Sequence, residues 1–432
     1  MTDESPGRSR DLRSRDRTDS GDGSTQDGPT AVPLTEPRDG TPEPVTDPAA
    51  LAQVILRFAG GTGPVAVDAE RASGYRYTHR AYLVQLRREG AGTVLIDPLA
   101  FADLGGLNAV LADAEWVLHA ASQDLPCLAE VGLRPQLLFD TELAARLAGY
   151  ERVGLAALTE QLLGRSLEKH HSAADWSTRP LPQDWLTYAA LDVELLVELR
   201  DLLAAELDRQ GKAGWAAQEF AALVDWATQP PRARPDPWRR TSGIHKVRGP
   251  RALARVRALW HARDAVAARR DTAPGRILPD SAIIAAADAD PKDERTLVAL
   301  PGFGGRSVRR LVRTWLDALD EARELPVEEL PVTPPSDGPP PPHRWAERDP
   351  AAAARLARCR EAVNRLATAH TVPPENLLAP DAVRRLAWSP PDPADTAAVA
   401  AALKEYGARP WQIELTATDL TEALPPPAVT GE

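Results

Sequence analysis

Three early runs carry the apolar rhythm of strands: PVAVDAE from Pro64, AYLVQLRR from Ala81 and GTVLIDPL from Gly92, each bounded by turn residues. Their closeness predicts an antiparallel meander. EWVLHA, from Glu115, predicts a fourth strand, and SQDLPCLAEVGL reads as the helix after it, with Ser122 as N-cap. The longest predicted helix spans about Gln183 to Arg209, its apolar stripe running Trp185, Tyr188, Asp192, Leu195, Leu199. From about residue 240 the pattern is purely helical, with a second helix expected to be capped by Asp280. The plan then repeats. A shift of about one hundred residues brings Pro274, Ile277, Leu278 and Ala282 onto Pro374, Leu377, Leu378 and Ala382, and Arg263–Val266 resembles Arg360–Val363 across a slightly different loop. We read this as an internal duplication of a small helical unit.

Where the rhythm fails, the boundaries lie. Residues 1–46 are rich in Ser, Asp, Arg, Gly and Pro and are expected to be a disordered tail. A mixed α/β unit over 47–225, a linker over 226–240 and a helical unit over 241–322 follow. A Pro-rich linker over 323–344, expected in extended polyproline II form, leads to the second helical unit over 345–427. The 41 prolines among 432 residues fit that many connections. Two distant cysteines, Cys127 and Cys359, make neither a disulfide framework nor a zinc site, which suits a reducing cytosol. No apolar leader or membrane-length run is seen, so a cytoplasmic protein is expected.

Charge changes the picture more than composition does. The chain carries a net −11, yet Arg239–Trp315 holds 17 Lys/Arg against 7 Asp/Glu. A basic module on an acidic protein is the footprint of a phosphate-backbone partner. Trp345–Leu424 holds 9 against 11, so the two repeats share a plan and not a surface. In LPGFGGRSVRRLVR a glycine-rich turn enters a helix beside Arg306, Arg309 and Arg310, which are candidate phosphate contacts; an ordinary helix–helix turn is the plainer reading.

The candidate chemistry is acidic. Asp68 and Glu70, two apart on a strand, share a face and repel each other. Asp124 sits at a helix start, where acids are commonplace. Asp192 falls in the inward seam of its helix, four residues after Tyr188. Oxygen-only sets of this kind suit Mg²⁺ or Mn²⁺, and two such ions about 3.5–4 Å apart support phosphoryl displacement. His119 reads as a core histidine, Asp140 as a helix cap and Asp97 as a turn residue. His170 and His171 diverge as neighbours and read as a substrate-side loop, with Lys169 a candidate phosphate contact.

The blocks VAVDAERASGYRYTHRAYLVQL, VLIDPL, VLHAASQDL, LEKHHSAADWSTRPL and YAALDVELL resemble, in order and spacing, the DEDD exonuclease superfamily, tyrosine subclass, and within it the ribonuclease D family. The helical repeats resemble HRDC domains. The resemblance implies a ribonuclease H-like α/β exonuclease domain followed by two small all-α HRDC-like domains. It implies two divalent ions, with Asp68 bridging, Glu70 and Asp192 on one ion and Asp124 on the other, through water, and Tyr188 orienting the attacking water. The implied reaction releases nucleoside 5′-monophosphates from the free 3′ hydroxyl end of an RNA such as a tRNA precursor. A DNA 3′–5′ exonuclease of the proofreading or Werner type, and a non-catalytic nucleic-acid-binding scaffold, are the alternatives.

Overall fold

A computed structural model describes residues 31–167, 173–229, 235–332 and 338–425. The described residues open with an ordered segment, 31–46, within the stretch whose composition predicts a disordered tail. Residues 32–33 pair in parallel with Arg165 and Ser166, and Val45 exchanges backbone bonds with Leu95 and Asp97. Arg38 pairs with Glu194 and Glu198, and Asp39 with Arg87. Ion pairs and backbone bonds, not an apolar face, hold this strap. Hydrophobic patterning is blind to such a segment.

Helix α1 (Pro48–Gly60) follows, capped by the Asp47 carboxylate on Ala49 and Ala50 N–H. The expected meander is β1 (Thr62–Arg71), β2 (Ala81–Glu89) and β3 (Gly92–Ile96). β4 (Glu115–Leu118), α2 (Leu125–Glu130), β5 (Leu137–Asp140) and α3 (Thr141–Ala148) come next. The sheet order is β3-β2-β1-β4-β5, antiparallel among the first three and parallel from β1 through β5. Alternation along β1 sends Val65, Val67 and Ala69 into one core with Val54 and Phe58 of α1, and leaves Asp68 and Glu70 on the opposite face.

The single long helix expected over 183–209 is two. α4 (Gln183–Glu194) and α5 (Leu196–Arg209) meet at Leu195, whose backbone leaves the helical region. The face of α4 that is buried deepest is Leu186, Ala189, Ala190 and Val193, so Trp185, Tyr188 and Asp192 lie on its flank. α6 (Ala213–Thr228) then continues beyond the expected domain edge. Trp238 is buried in the core of the first helical unit, so that unit begins inside the expected linker.

The duplication is visible in the backbone. α7 (Pro250–Arg270) and α9 (Pro350–His370) each span 21 residues and end in a left-handed residue, Asp271 and Thr371. α8 (Val312–Glu324) and α10 (Pro410–Ala423) close the two units. Arg255 donates to the Ala287 carbonyl and Arg355 to the Ala387 carbonyl. The offset is thus one hundred in α7 and α9 as well, and the likeness of Arg263–Val266 to Arg360–Val363 is out of register. Asp280 does not cap its helix: it is the first helical residue, and its carboxylate accepts from Arg263 and from the Ser242 N–H.

The two units meet the sheet domain differently. The first grips the β1–β2 loop through polar contacts: Tyr77 to Asp264, Thr78 to Asp271, and Arg276 to the Gly74 carbonyl and over the Tyr75 ring. The second shares a continuous apolar core with α3, α5 and α6, in which Trp215 stacks on Trp411 at 4.8 Å. Among the described residues no helix is long and apolar enough to cross a membrane.

Candidate active site

One end of β1 and the flank of α4 bring three carboxylates together. Asp68, Glu70 and Asp192 each offer an oxygen, all within 4.8 Å of one another. They line a cleft of about 390 Å³ with Arg71, His119, Gln123, Asp124, Tyr188 and the apolar Leu155, Leu167 and Leu196. The buried Trp176 indole packs against both Trp185 and Tyr188, at 5.3 and 6.4 Å between ring centres, and so sets the phenol over the acids. Tyr188 and Asp192 are hydrogen-bonded, as expected for residues four apart on a helix.

Asp124 arrives by a strained route. Ala120, after β4, adopts a left-handed backbone with φ 58°. That turn aims the N–H groups of Ala120 and Ala121 at the Asp140 carboxylate, which also caps α3 through Glu142 and Leu143. Asp140 is therefore the helix cap the sequence suggests, and it also anchors the turn that presents Asp124. Ser122 lies within a short 3₁₀ turn and caps nothing, correcting the expected helix start; α2 begins at Leu125. Asp124 stands outside the trio of converging oxygens, and its carboxylate lies 3.3 Å from the Arg71 guanidinium.

The electrostatics follow from crowding. Burial is the largest cause lifting Asp68 to about 6 and Asp124 to about 8, against the usual value near 3.8. Burial and then the neighbouring acids push Glu70 and Asp192 well up. The same two causes raise the Tyr188 phenol, which keeps its proton. Gln85, opposite Asp68 on β2, is buried with neither amide atom hydrogen-bonded among the described residues. Converging, oxygen-only donors that are costly to ionise without a counter-charge fit a hard divalent cation.

His119 lines the cleft, bonds Thr141 at 2.9 Å and is held neutral by burial, its pKa down to about 4. Asp97 makes its turn, accepting from Leu99 N–H, but also pairs with Arg179, which ties the loop before α4 to β3. Arg306 and Arg309, on a four-residue helix of the first repeat, and Arg310 just after it are exposed and line no part of the cleft. Lys169, His170 and His171 lie outside the described residues. Sequence reasoning missed Arg71, Gln123 and the apolar cleft wall, none of which has a spacing of its own.

A 3′–5′ exonuclease family matches residues 42–208, an HRDC domain 252–319, and a 3′ to 5′ exonuclease C-terminal domain 338–424. Ribonuclease D of Granulibacter bethesdensis is 35% identical over 280 residues, covering 62% of this chain and 69% of that protein. The chain belongs to the ribonuclease D family. A solved protein from Bifidobacterium adolescentis superposes with a TM-score of 0.84 at 40% identity, covering 91% of this chain and 99% of its own. Escherichia coli RNase D, described as an exoribonuclease involved in structured RNA processing, superposes at 0.66 with 26% identity, covering 88% and 98%. Ribonuclease D membership makes the protein a metal-dependent 3′–5′ exoribonuclease with a mixed-sheet exonuclease domain followed by helical HRDC-type structure.

Proposed function

We propose that the protein trims structured RNA, tRNA precursors among them, from a free 3′ hydroxyl, one nucleoside 5′-monophosphate at a time. The observation that carries this is the convergence of Asp68, Glu70 and Asp192 within 4.8 Å, beside Tyr188, in one cleft. These three carboxylates and Asp124 would hold two Mg²⁺ or Mn²⁺ ions. Two such ions, when bound, supply charge stabilisation to the attacking and leaving oxygens of an in-line displacement. Tyr188, protonated and packed against Trp176 beside Asp192, orients the water, and its position in the cleft supports assignment to the tyrosine subclass. The apolar wall of Leu155, Leu167 and Leu196 suits a terminal base, and the crowded acids discourage loose anions.

The supporting modules are assigned in the same reading. The unit closing at Ala423 repeats the backbone plan of the first and is a second HRDC-like domain. The basic first unit, through Arg306, Arg309 and Arg310, holds the RNA body, and Lys169 approaches the phosphates near the cleft. The protein works in the cytoplasm.

The test is release of mononucleotides from matched 3′-labelled RNA and DNA, with Mg²⁺, Mn²⁺ or EDTA. RNA cleavage that needs the metal and is abolished in Asp68→Asn supports the reading. Preference for DNA, or undiminished hydrolysis by Asp68→Asn, overturns it.

A further inference from the structure

Arg71 is out of place. On a regular strand it would face away from Asp68 and Glu70, yet its side chain lines their cleft. Arg71 is the last residue of β1, where the ladder is irregular: Glu70 pairs with Leu83 but Arg71 with Ala81, so Tyr82 of β2 is passed over and the register slips by one. Bulges of this kind are common beside functional sites. Arg71 thus brings a guanidinium to a pocket of four carboxylates. His119 is neutral there, which leaves Arg71 the one cationic side chain among the described residues lining the cleft.

Its pairing is loose. A single nitrogen lies 3.3 Å from Asp124, the side chain is 27% exposed, and no hydrogen bond to the rest of the guanidinium is found among the described residues. A residue serving only as a structural counter-ion to a buried acid would be expected to close a two-pronged bond. An arginine with donors to spare, fixed to the strand that carries two of the acids, matches the geometry of a phosphate oxyanion.

We propose that Arg71 is a phosphate-positioning residue: it pairs with Asp124 in the metal-free protein and turns to the non-bridging oxygens of the 3′-terminal phosphate once cations occupy the carboxylates. The inference rests on the exonuclease reading of the cleft and adds the group that recognises the reacting phosphate. Because Arg71 shares Asp124 with the cations, its removal leaves their binding intact or tighter, while phosphate recognition is lost.

The experiment compares wild type, Arg71→Gln and Arg71→Lys by calorimetric titration with Mg²⁺ alone, and then with AMP or adenosine in Mg²⁺. Unchanged melting temperatures verify the fold. Arg71→Gln should weaken AMP binding about tenfold or more, as expected for a charge-assisted hydrogen bond, leave adenosine unaffected and not weaken Mg²⁺. Arg71→Lys should recover part of the AMP affinity. Wild-type AMP affinity in Arg71→Gln overturns the proposal, as does a loss of Mg²⁺ affinity as large as the loss for AMP, which would make Arg71 only a prop for Asp124. An Arg71-dependent AMP site in a protein that fails to degrade RNA would sink the exoribonuclease reading instead and leave this one standing.

Discussion

Tyr188 is the residue whose role is easiest to mistake, because its ring packs against Trp176 as any core aromatic would. Tyr188→Phe keeps the ring and removes only the hydroxyl, so kcat should fall about 10²–10⁴-fold with little change in RNA affinity. A loss below about threefold, with chemistry rate-limiting, would reduce Tyr188 to packing. The acids allow a second check. A carboxyl whose pKa is raised by folding contributes stability below its unfolded value, and that stability is lost as pH climbs through the folded value. With Asp68 near 6 and Asp124 near 8, the melting temperature of metal-free protein in EDTA should fall from pH 4 to pH 8. Asp68→Asn should melt above wild type at pH 8 and converge with it near pH 4; coincident curves would mean that the acids are not strained. Spacing alone puts Asp68 beside Glu70 and Tyr188 beside Asp192, whereas joining those pairs and Asp124 into one site rests on the order of the family's sequence blocks. Arg71 and the second duty of Asp140 are not legible, since one sits at an irregular strand end and the other depends on a left-handed turn.

Among the elements, the strap over residues 32–47 has the least expected consequence. Arg38 reaches Glu194, a buried carboxylate two residues beyond Asp192 at the break between α4 and α5. Arg87 is its other counter-charge, at 3.4 Å. Arg38→Ala leaves that carboxylate short of a partner and should cost about 1–3 kcal/mol in chemical denaturation. Hydrogen exchange at the end of α4 should rise as well. An unchanged midpoint and unchanged exchange would show that the strap merely rests there. The meander and the alternation of β1 are readable from apolar period; the strap is not, because its few apolar residues follow none. The break at Leu195 is hidden for a related reason: apolar residues run straight through it at helical spacing, and tertiary packing decides the bend.

At the level of the whole molecule, the basic stretch Arg239–Trp315 stops just short of Asp317, Asp320, Glu321 and Glu324 on α8, and Asp317 and Glu321 share a groove with Arg257. The proposed hold on RNA should therefore fall to cations away from that groove, Arg306, Arg309 and Arg310 among them. Replacing Arg306, Arg309 and Arg310 with Gln should weaken binding of a duplex-bearing RNA to the Asp68→Asn protein. The slope of log affinity against log salt should flatten by about 0.7–0.9 for each phosphate that is no longer neutralised. An unchanged slope would remove these residues from the interface. Deleting the second unit is no comparable test, since Trp215 and Phe220 of α6 belong to the core it completes.

That shared core also has a meaning in time. The helices packed behind the acidic cleft are complete by Thr228, yet Trp411, Leu420 and Leu424, much later in the sequence, fill the same apolar cluster. During synthesis the sheet can form early, but its helical backing stays incomplete until the helix that carries Trp411 and Leu420 has been made. An RNA-degrading protein born among ribosomal RNA and tRNA should thereby gain firm packing behind its cleft only after both helical units have been made.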